Sequence, residues 1–311
     1  MPSPLPHVLR PLPARSPRPW AGRRLGGGIG ELWLAGPDSQ IDLPGGATTL
    51  DALSALHGAA LVGERGMQRL GARFPLLVKL IDAGDWLSLQ VHPSDALARR
   101  LHGPGAVGKA EAWLVLAADP NAMLVTGPRP DLSEADLRAR IAAGTLGHDD
   151  CESRRAVPGE FLELRAGTLH AIGAGTFVYE IEQPSDLTYR ISDWGRPPVP
   201  GRHLHTAEAL EAVAPTQRAV LAGAHFVPTG GVLAMDEFQL EVLGPAGSFA
   251  RAPAGQTAEV VSVVDGPAVL SGPAWQTTLE PGQAIVVPAG CEGYTIEPGP
   301  TSRVLVGSLP T

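Results

Sequence analysis

Three stretches of this 311-residue chain carry residue types that can hold a metal ion. On an extended strand Gln90 and His92 project to the same face, and Pro93 ends that strand at once. Glu111 stands alone among apolar neighbours in Ala110-Glu-Ala-Trp-Leu-Val-Leu116, where a carboxylate is costly to bury unless it is paired or bound to a cation. His170 closes the glycine-led corner Gly167-Thr-Leu-His170. Two imidazoles, a carboxylate and an amide oxygen suit a divalent first-row metal such as zinc, with positions left open for water or substrate. The other histidines, His7, His57, His102, His148, His203, His205 and His225, fall in arm, helix or loop contexts and read as structural or exposed.

Such a set needs rigid elements to position it, and the composition favours strands. Glycine (38) and proline (31) break the chain into short segments with no collagen-like period. That argues against a helical bundle and for an all-β sandwich or barrel. Strands are expected at 30–34, 74–81, 86–91, 110–116, 161–164 and 177–183. In the last, Phe177, Tyr179 and Ile181 face one way and Glu180 and Glu182 the other. Thr49 is expected to cap a helix that Gly58 ends, and Thr206 to cap another reaching about Val213. Ser133-Glu-Ala-Asp136 opens a small helical insertion near 131–143, with Leu132, Leu137 and Ile141 at helical spacing. Residues 1–19, with seven prolines, read as an extended or loosely ordered arm.

The chain also echoes itself. Pro158-Gly159 precedes Gly167-Thr-Leu-His170 as Pro281-Gly282 precedes Gly290-Cys-Glu-Gly293, and Ala110-Glu111 has a counterpart in Ala258-Glu259. Two copies of one β-unit are expected, with a boundary near 214–230. The second has Gly293 where the first has His170.

Charge and hydropathy exclude several classes. The net charge is −8, although the first thirty residues hold five arginines and no carboxylate, so the rest is more acidic still and makes a poor nucleic-acid surface. No apolar run approaches the ~18 residues of a membrane span, and the Arg- and Pro-rich start has no secretory core. Cys151 and Cys291 lie far apart without CxxC spacing, which suits a reducing, cytoplasmic setting and leaves a metal to nitrogen and oxygen donors.

Five segments carry a family resemblance: Ile29-Gly-Glu-Leu-Trp33, Pro75-Leu-Leu-Val-Lys-Leu-Ile-Asp-Ala-Gly-Asp-Trp-Leu-Ser-Leu-Gln-Val-His-Pro93, Gly108-Lys-Ala-Glu-Ala-Trp113, Gly167-Thr-Leu-His-Ala-Ile-Gly173 and 180–196. In order and spacing they resemble type I phosphomannose isomerase (mannose-6-phosphate isomerase) in its short bacterial form, within the cupin superfamily. The resemblance implies an all-β fold of two cupin-like jelly-roll units, the first with a helical insertion. Residues 20–213 would be the catalytic unit, and 214–311 a degenerate one without metal ligands. It further implies one Zn2+ per chain, or another divalent first-row ion, on Gln90, His92, Glu111 and His170; in the short form the set can reduce to the last three.

The implied reaction interconverts mannose 6-phosphate and fructose 6-phosphate through a cis-enediol, with a sugar phosphate as partner and neither nucleic acid nor membrane. Arg190 is the implied active-site arginine, holding substrate oxygen or phosphate, and Lys109 lies near metal and substrate. Lys109 is open to roles in ring opening, proton transfer or phosphate binding. Glu180 and Asp186 are the candidates to carry the proton, and Asp186 is equally suited to binding substrate or to a salt bridge with Arg190. Two rival readings are another metal-dependent cupin enzyme, an epimerase or oxygenase, and a non-catalytic sugar-binding or regulatory cupin. The fixed cations Arg190 and Lys109 favour an anionic sugar phosphate over the first, and the presence of all four candidate ligands speaks against the second.

Overall fold

In the computed structural model, which describes residues 4–197, 201–222, 231–245 and 247–310, short strands dominate and helices are few. The chain forms two compact units. One consists of Ser16–Glu31 and Ile81–Ala224; the other gathers Met1–Arg15, Leu32–Leu80 and His225–Thr311. This grouping cuts across a linear division at 213/214, because the 32–80 stretch is counted with the C-terminal residues. Among the described residues no helix is long and apolar enough to cross a membrane.

Every candidate site residue lies in the unit containing Ile81–Ala224. Among its strands are β1 (Leu89–Val91), β2 (Glu111–Ala118), β3 (Phe161–Leu164), β4 (Thr176–Glu182) and β5 (Tyr189–Ser192). β2 lies between β4 and β3, antiparallel to both, while β5 pairs with β1. Trp113, Val115, Leu162, Leu164 and Val178 form one apolar cluster with Leu124 and Ile172 from a smaller three-stranded sheet. The register of β4 with β2 shifts between Phe177 and Val178 and is regular from Val178 on; both faces of β4 are buried, so Glu180 and Glu182 point into protein instead of water.

The helical insertion is present as Glu134–Ala143, with the Ser133 hydroxyl accepting the Asp136 N–H and Gly144 closing it in the left-handed conformation. Its Leu137 and Ile141 are buried in a second cluster with Val91, Leu169 and Tyr189. Thr49 and Gly58 bound the helix Leu50–His57 as expected. Two expectations shift. The helix after residue 204 runs Thr206–Ala212, so Thr206 is its first helical residue and His205 takes the cap position. The strand expected at 86–91 shortens to β1. Two helices were not anticipated, Ala59–Leu70 and Asp95–His102. The second follows directly from Pro93, which stops β1 and leaves Ser94 to cap with its hydroxyl. His225 lies outside the described residues.

In the other unit the described part of the arm up to residue 15 is pinned. Leu9 is buried and exchanges two 2.9 Å backbone hydrogen bonds with Val286, and the Leu12 N–H donates to Gln40. Here β6 (Phe249–Arg251), β7 (Glu259–Asp265), β8 (Gln283–Val287), β9 (Tyr294–Pro298) and β10 (Arg303–Ser308) follow one another.

The internal echo reappears in the strand register. Glu111 opens β2 opposite Leu164 of β3, and Glu259 opens β7 opposite Val287 of β8. Gln90 bridges to His170 in one unit as Arg251 pairs with Tyr294 in the other. The Arg251 guanidinium binds Glu259 at 3.1 and 2.6 Å and Glu241 at 2.7 Å, while the Tyr294 hydroxyl donates to Glu259 at 2.7 Å. In this unit the carboxylate that opens the strand is therefore already neutralised by an arginine.

Candidate metal centre

Backbone pairing brings the site together. Gln90 and His170 exchange two 3.0 Å backbone hydrogen bonds, and the Gly167 N–H donates to the His92 carbonyl at 2.9 Å, so the glycine-led corner is tied to β1 and its end. Gly167 has φ +92°, a conformation that suits glycine, and a side chain there would crowd the Ala212 carbonyl. The Lys109 N–H donates to the Pro93 carbonyl, which sets the approach to β2.

Three side chains then converge. His92 Nε2 lies 3.3 Å from Glu111 Oε2, and His170 Nε2 lies 3.2 Å from Glu111 Oε1; all three residues are at most 2 % exposed. The Nδ1 atoms are committed elsewhere, to the Leu187 carbonyl at 2.9 Å and the Thr168 carbonyl at 2.8 Å. A carbonyl only accepts, so each Nδ1 carries the proton and each Nε2 turns a lone pair toward Glu111. Burial, with Lys109 nearby, pushes the His92 pKa down to about 3, and burial also lowers that of His170, so both rings are neutral. Neutral lone pairs thus face carboxylate oxygens with no proton between them, and among the described residues His92 Nε2 and Glu111 Oε1 lack a hydrogen-bond partner while Glu111 Oε2 has the Lys109 ammonium beside it. A cation is what such a donor set fits.

Charge argues the same way. Lys109 Nζ sits 3.1 Å from Glu111 Oε2 and 2.9 Å from Glu182 Oε2. Burial opposes its charge, but Glu182, Glu111 and Glu180 outweigh that and hold it well above the usual lysine range. Burial likewise favours the neutral form of Glu111, and Lys109 overcomes it, keeping the carboxyl well below its ordinary value. Carboxylate oxygens of Glu111, Glu180 and Glu182 lie within 4.8 Å of one another. Three carboxylates and one ammonium, all buried, leave a formal charge of −2, the complement of a divalent ion.

The remaining candidates divide. Gln90 is at the rim, its Nε2 3.1 Å from His170 Nε2; a turned amide would present oxygen there instead. Glu180 is opposite Trp113 in the β4–β2 register and accepts its indole N–H at 2.9 Å. Arg190 is opposite Gln90 in the β5–β1 pair, hence on the same face, and its Nη1 donates to the His203 carbonyl at 2.8 Å. Burial and the neighbouring Arg202, Arg18 and Arg196 lower its pKa, opposed by Asp193. Asp186 is exposed and makes no hydrogen bond or ion pair with Arg190 among the described residues, so the expected salt bridge does not form. The carboxylate that the sequence reading missed is Glu182, which lies directly opposite Glu111 across the strand pair. Its signal was the shared face with Glu180. His148, read as structural or exposed, is exposed and stacks on Trp194 with ring centroids 3.8 Å apart.

The neutral His92 makes a pH prediction for the metal-free protein. Its folded pKa is depressed, so the unfolded chain binds the extra proton, and stability is lost as pH falls from about 6.5 toward 3. Urea midpoints measured across this range should fall more steeply for wild type than for His92→Gln; parallel curves would refute the assignment.

Residues 28–113 match the family model for the catalytic domain of type I phosphomannose isomerase. A mannose-6-phosphate isomerase from Streptococcus mutans serotype c is 41% identical over 145 residues, 45% of this chain and 44% of that protein. Over this segment the chain is similar to the type I phosphomannose isomerases. The aligned part spans under half the length of that relative. The likeness in fold is more extensive: the crystal structure of mannose 6-phosphate isomerase from Bacillus subtilis has a TM-score of 0.77 at 25% identity, over 97% of this chain and 99% of that one. A zinc-bound mannose 6-phosphate isomerase shares the fold at 16% identity, with a TM-score of 0.74 over 98% of this chain and 100% of that one. The segment matched to the phosphomannose isomerase family contains Gln90, His92, Lys109 and Glu111 but ends before His170, Glu180, Glu182 and Arg190. In this chain, strand pairing and the glycine-led corner bring those later residues to the same place.

Proposed function

We propose that this chain is a metal-dependent aldose–ketose isomerase that interconverts mannose 6-phosphate and fructose 6-phosphate through a cis-enediol. The observation that carries the reading is the buried set of neutral imidazole lone pairs facing Glu111 inside a group of net charge −2. His92, Glu111 and His170 would hold one Zn2+ or another divalent first-row ion, with Gln90 beside them. Such an ion supplies Lewis-acid stabilisation for oxygens that gain negative charge. Residues 20–213 form the catalytic part in this reading, and 214–311 a cupin-like part whose corresponding carboxylate, Glu259, is taken by Arg251. The free cysteines fit a reducing cytoplasm, and burial pushes the Cys151 thiol up to about 12, leaving it inert.

The chain's own groups then divide the work. Arg190, on the face of Gln90, holds a substrate oxygen or the phosphate with a charge it keeps at neutral pH. Glu180 takes the proton from C2 of the aldose and returns it to C1, while a hydroxyl proton passes from O2 to O1. Its Trp113 hydrogen bond fixes one oxygen and orients the carboxylate for this transfer. Lys109 acts as a fixed cation beside Glu111 that supports charge on the enediolate; locked between two carboxylates, it is not the proton acceptor. Asp186, exposed at the turn before β5, contributes to sugar binding.

Conversion of mannose 6-phosphate to fructose 6-phosphate, followed after complete chelation and then with added zinc, tests the proposal. Activity should vanish and return. Turnover that survives chelation would sink the metal-dependent mechanism, and absence of turnover in the zinc-loaded protein would sink the substrate assignment.

A further inference from the structure

We infer that His205 is a positioning residue that holds Arg190 in place, and that it does so only as the neutral imidazole. The inference rests on the role of Arg190 given above, but the contacts that carry it are independent of any substrate. β5 belongs to a two-stranded pair, and its register with β1 shifts between Arg190 and Ser192. His205 supplies Arg190 with partners that the neighbouring strand does not. The Arg190 N–H donates to His205 Nδ1 at 3.1 Å, and the His205 N–H donates to the Arg190 carbonyl at 2.8 Å. Two residues earlier, the His203 carbonyl accepts from Arg190 Nη1 at 2.8 Å. The tripeptide His203-Leu-His205 therefore fixes both the backbone and the guanidinium of one residue. It is itself anchored, because the His205 carbonyl accepts the Ala209 N–H at the start of the helix Thr206–Ala212.

The acceptor role of Nδ1 sets the chemical condition. A backbone N–H only donates, so Nδ1 must be unprotonated and the ring's single proton belongs on Nε2. Protonation would set an N–H against an N–H and a positive ring beside the Arg190 guanidinium. The groups facing His205 are Arg190 and Tyr189 from β5, His203 from the preceding loop with ring centroids 4.3 Å apart, and Glu208 from the following helix. Burial, His203 and Arg190 disfavour the charged ring, and Glu208 alone favours it, so the neutral form is the resting one. When pH falls through the lowered His205 pKa, the hydrogen bond breaks and Arg190 loses its place.

Asparagine separates this role from a merely structural one, because its Oδ1 can accept the same N–H and does not titrate. In His205→Asn, kcat should stay within about threefold of wild type near pH 8, and the fall in kcat at acid pH should shift to lower pH than in wild type. In His205→Ala, kcat should drop about 10- to 100-fold with KM changing less and metal content unchanged. The 15N shift of the Arg190 amide, read by NMR against pH, should follow the His205 titration in wild type and lose that step in His205→Asn. An Arg190 amide blind to His205, or an acid limb identical in wild type and His205→Asn, overturns the inference. If wild type lacks isomerase turnover while the amide still follows His205, the isomerase reading fails and the positioning contact stands.

Discussion

Glu111→Gln should leave a folded protein whose affinity for zinc is at least about 100-fold weaker, the largest functional effect expected of any single substitution here. The change is nearly isosteric, so the strand pairing of β2 is preserved. What it removes is one charge of a buried group of −2 and the carboxylate that both imidazoles address. Lys109 keeps its 2.9 Å contact with Glu182, so the substitution does not strand a buried ammonium. Competition with a chelating dye reports the affinity directly, without reference to any substrate. Near wild-type affinity in Glu111→Gln would remove Glu111 from the ligand set and with it the geometric basis of the site.

Lys109→Met should give the largest effect on stability. Glu111 and Glu182 are directly opposite in the β2–β4 register, fully buried, and held together by the ammonium between them. Removing that cation leaves like charges facing each other in a low-dielectric setting, a loss of about 3–5 kcal/mol for the metal-free protein. Two further results follow from the same electrostatics. Divalent metal should restore more stability to Lys109→Met than it adds to wild type, because it supplies the missing positive charge. The double variant Lys109→Met/Glu182→Gln should recover much of the loss, since it removes the charge that had been stranded. Urea denaturation with and without zinc measures all three. A loss in Lys109→Met that neither zinc nor Glu182→Gln relieves would place its cause in packing and not in charge.

The candidate ligand residues were legible in the sequence because their types violate the local pattern: an acid inside an apolar strand, and a histidine beside a strand-ending proline. The family resemblance added Arg190 and Lys109 in the same way, through contiguous motifs. Glu182 was not legible as a partner of Lys109, because that relation is set by the β2–β4 register, and alternation alone says which face a side chain takes and not what lies there. His205 escaped for a similar reason. The cap was read at Thr206, a favourable residue type, whereas the backbone of Arg190 draws His205 into that position. Asp186 shows the converse, a carboxylate close to Arg190 in sequence that the turn leaves exposed. Fold class depends on composition and periodicity, which are local; the fine structure of the site depends on long-range pairing.

Arg251 gives the two β-units different debts to their surroundings. In one, the chain's own cation at the strand-opening carboxylate, Lys109, is shared with Glu182, and the rest of the positive charge would be a solute, present in proportion to its supply and open to theft by any stronger chelator. In the other it is written into the gene and arrives with translation, bonded to Glu259 and Glu241 through a group that neither dissociates nor loses its proton. Metal starvation would therefore reach the unit that contains His92, Glu111 and His170 and pass the other by, so that loss of activity need not mean loss of the whole fold.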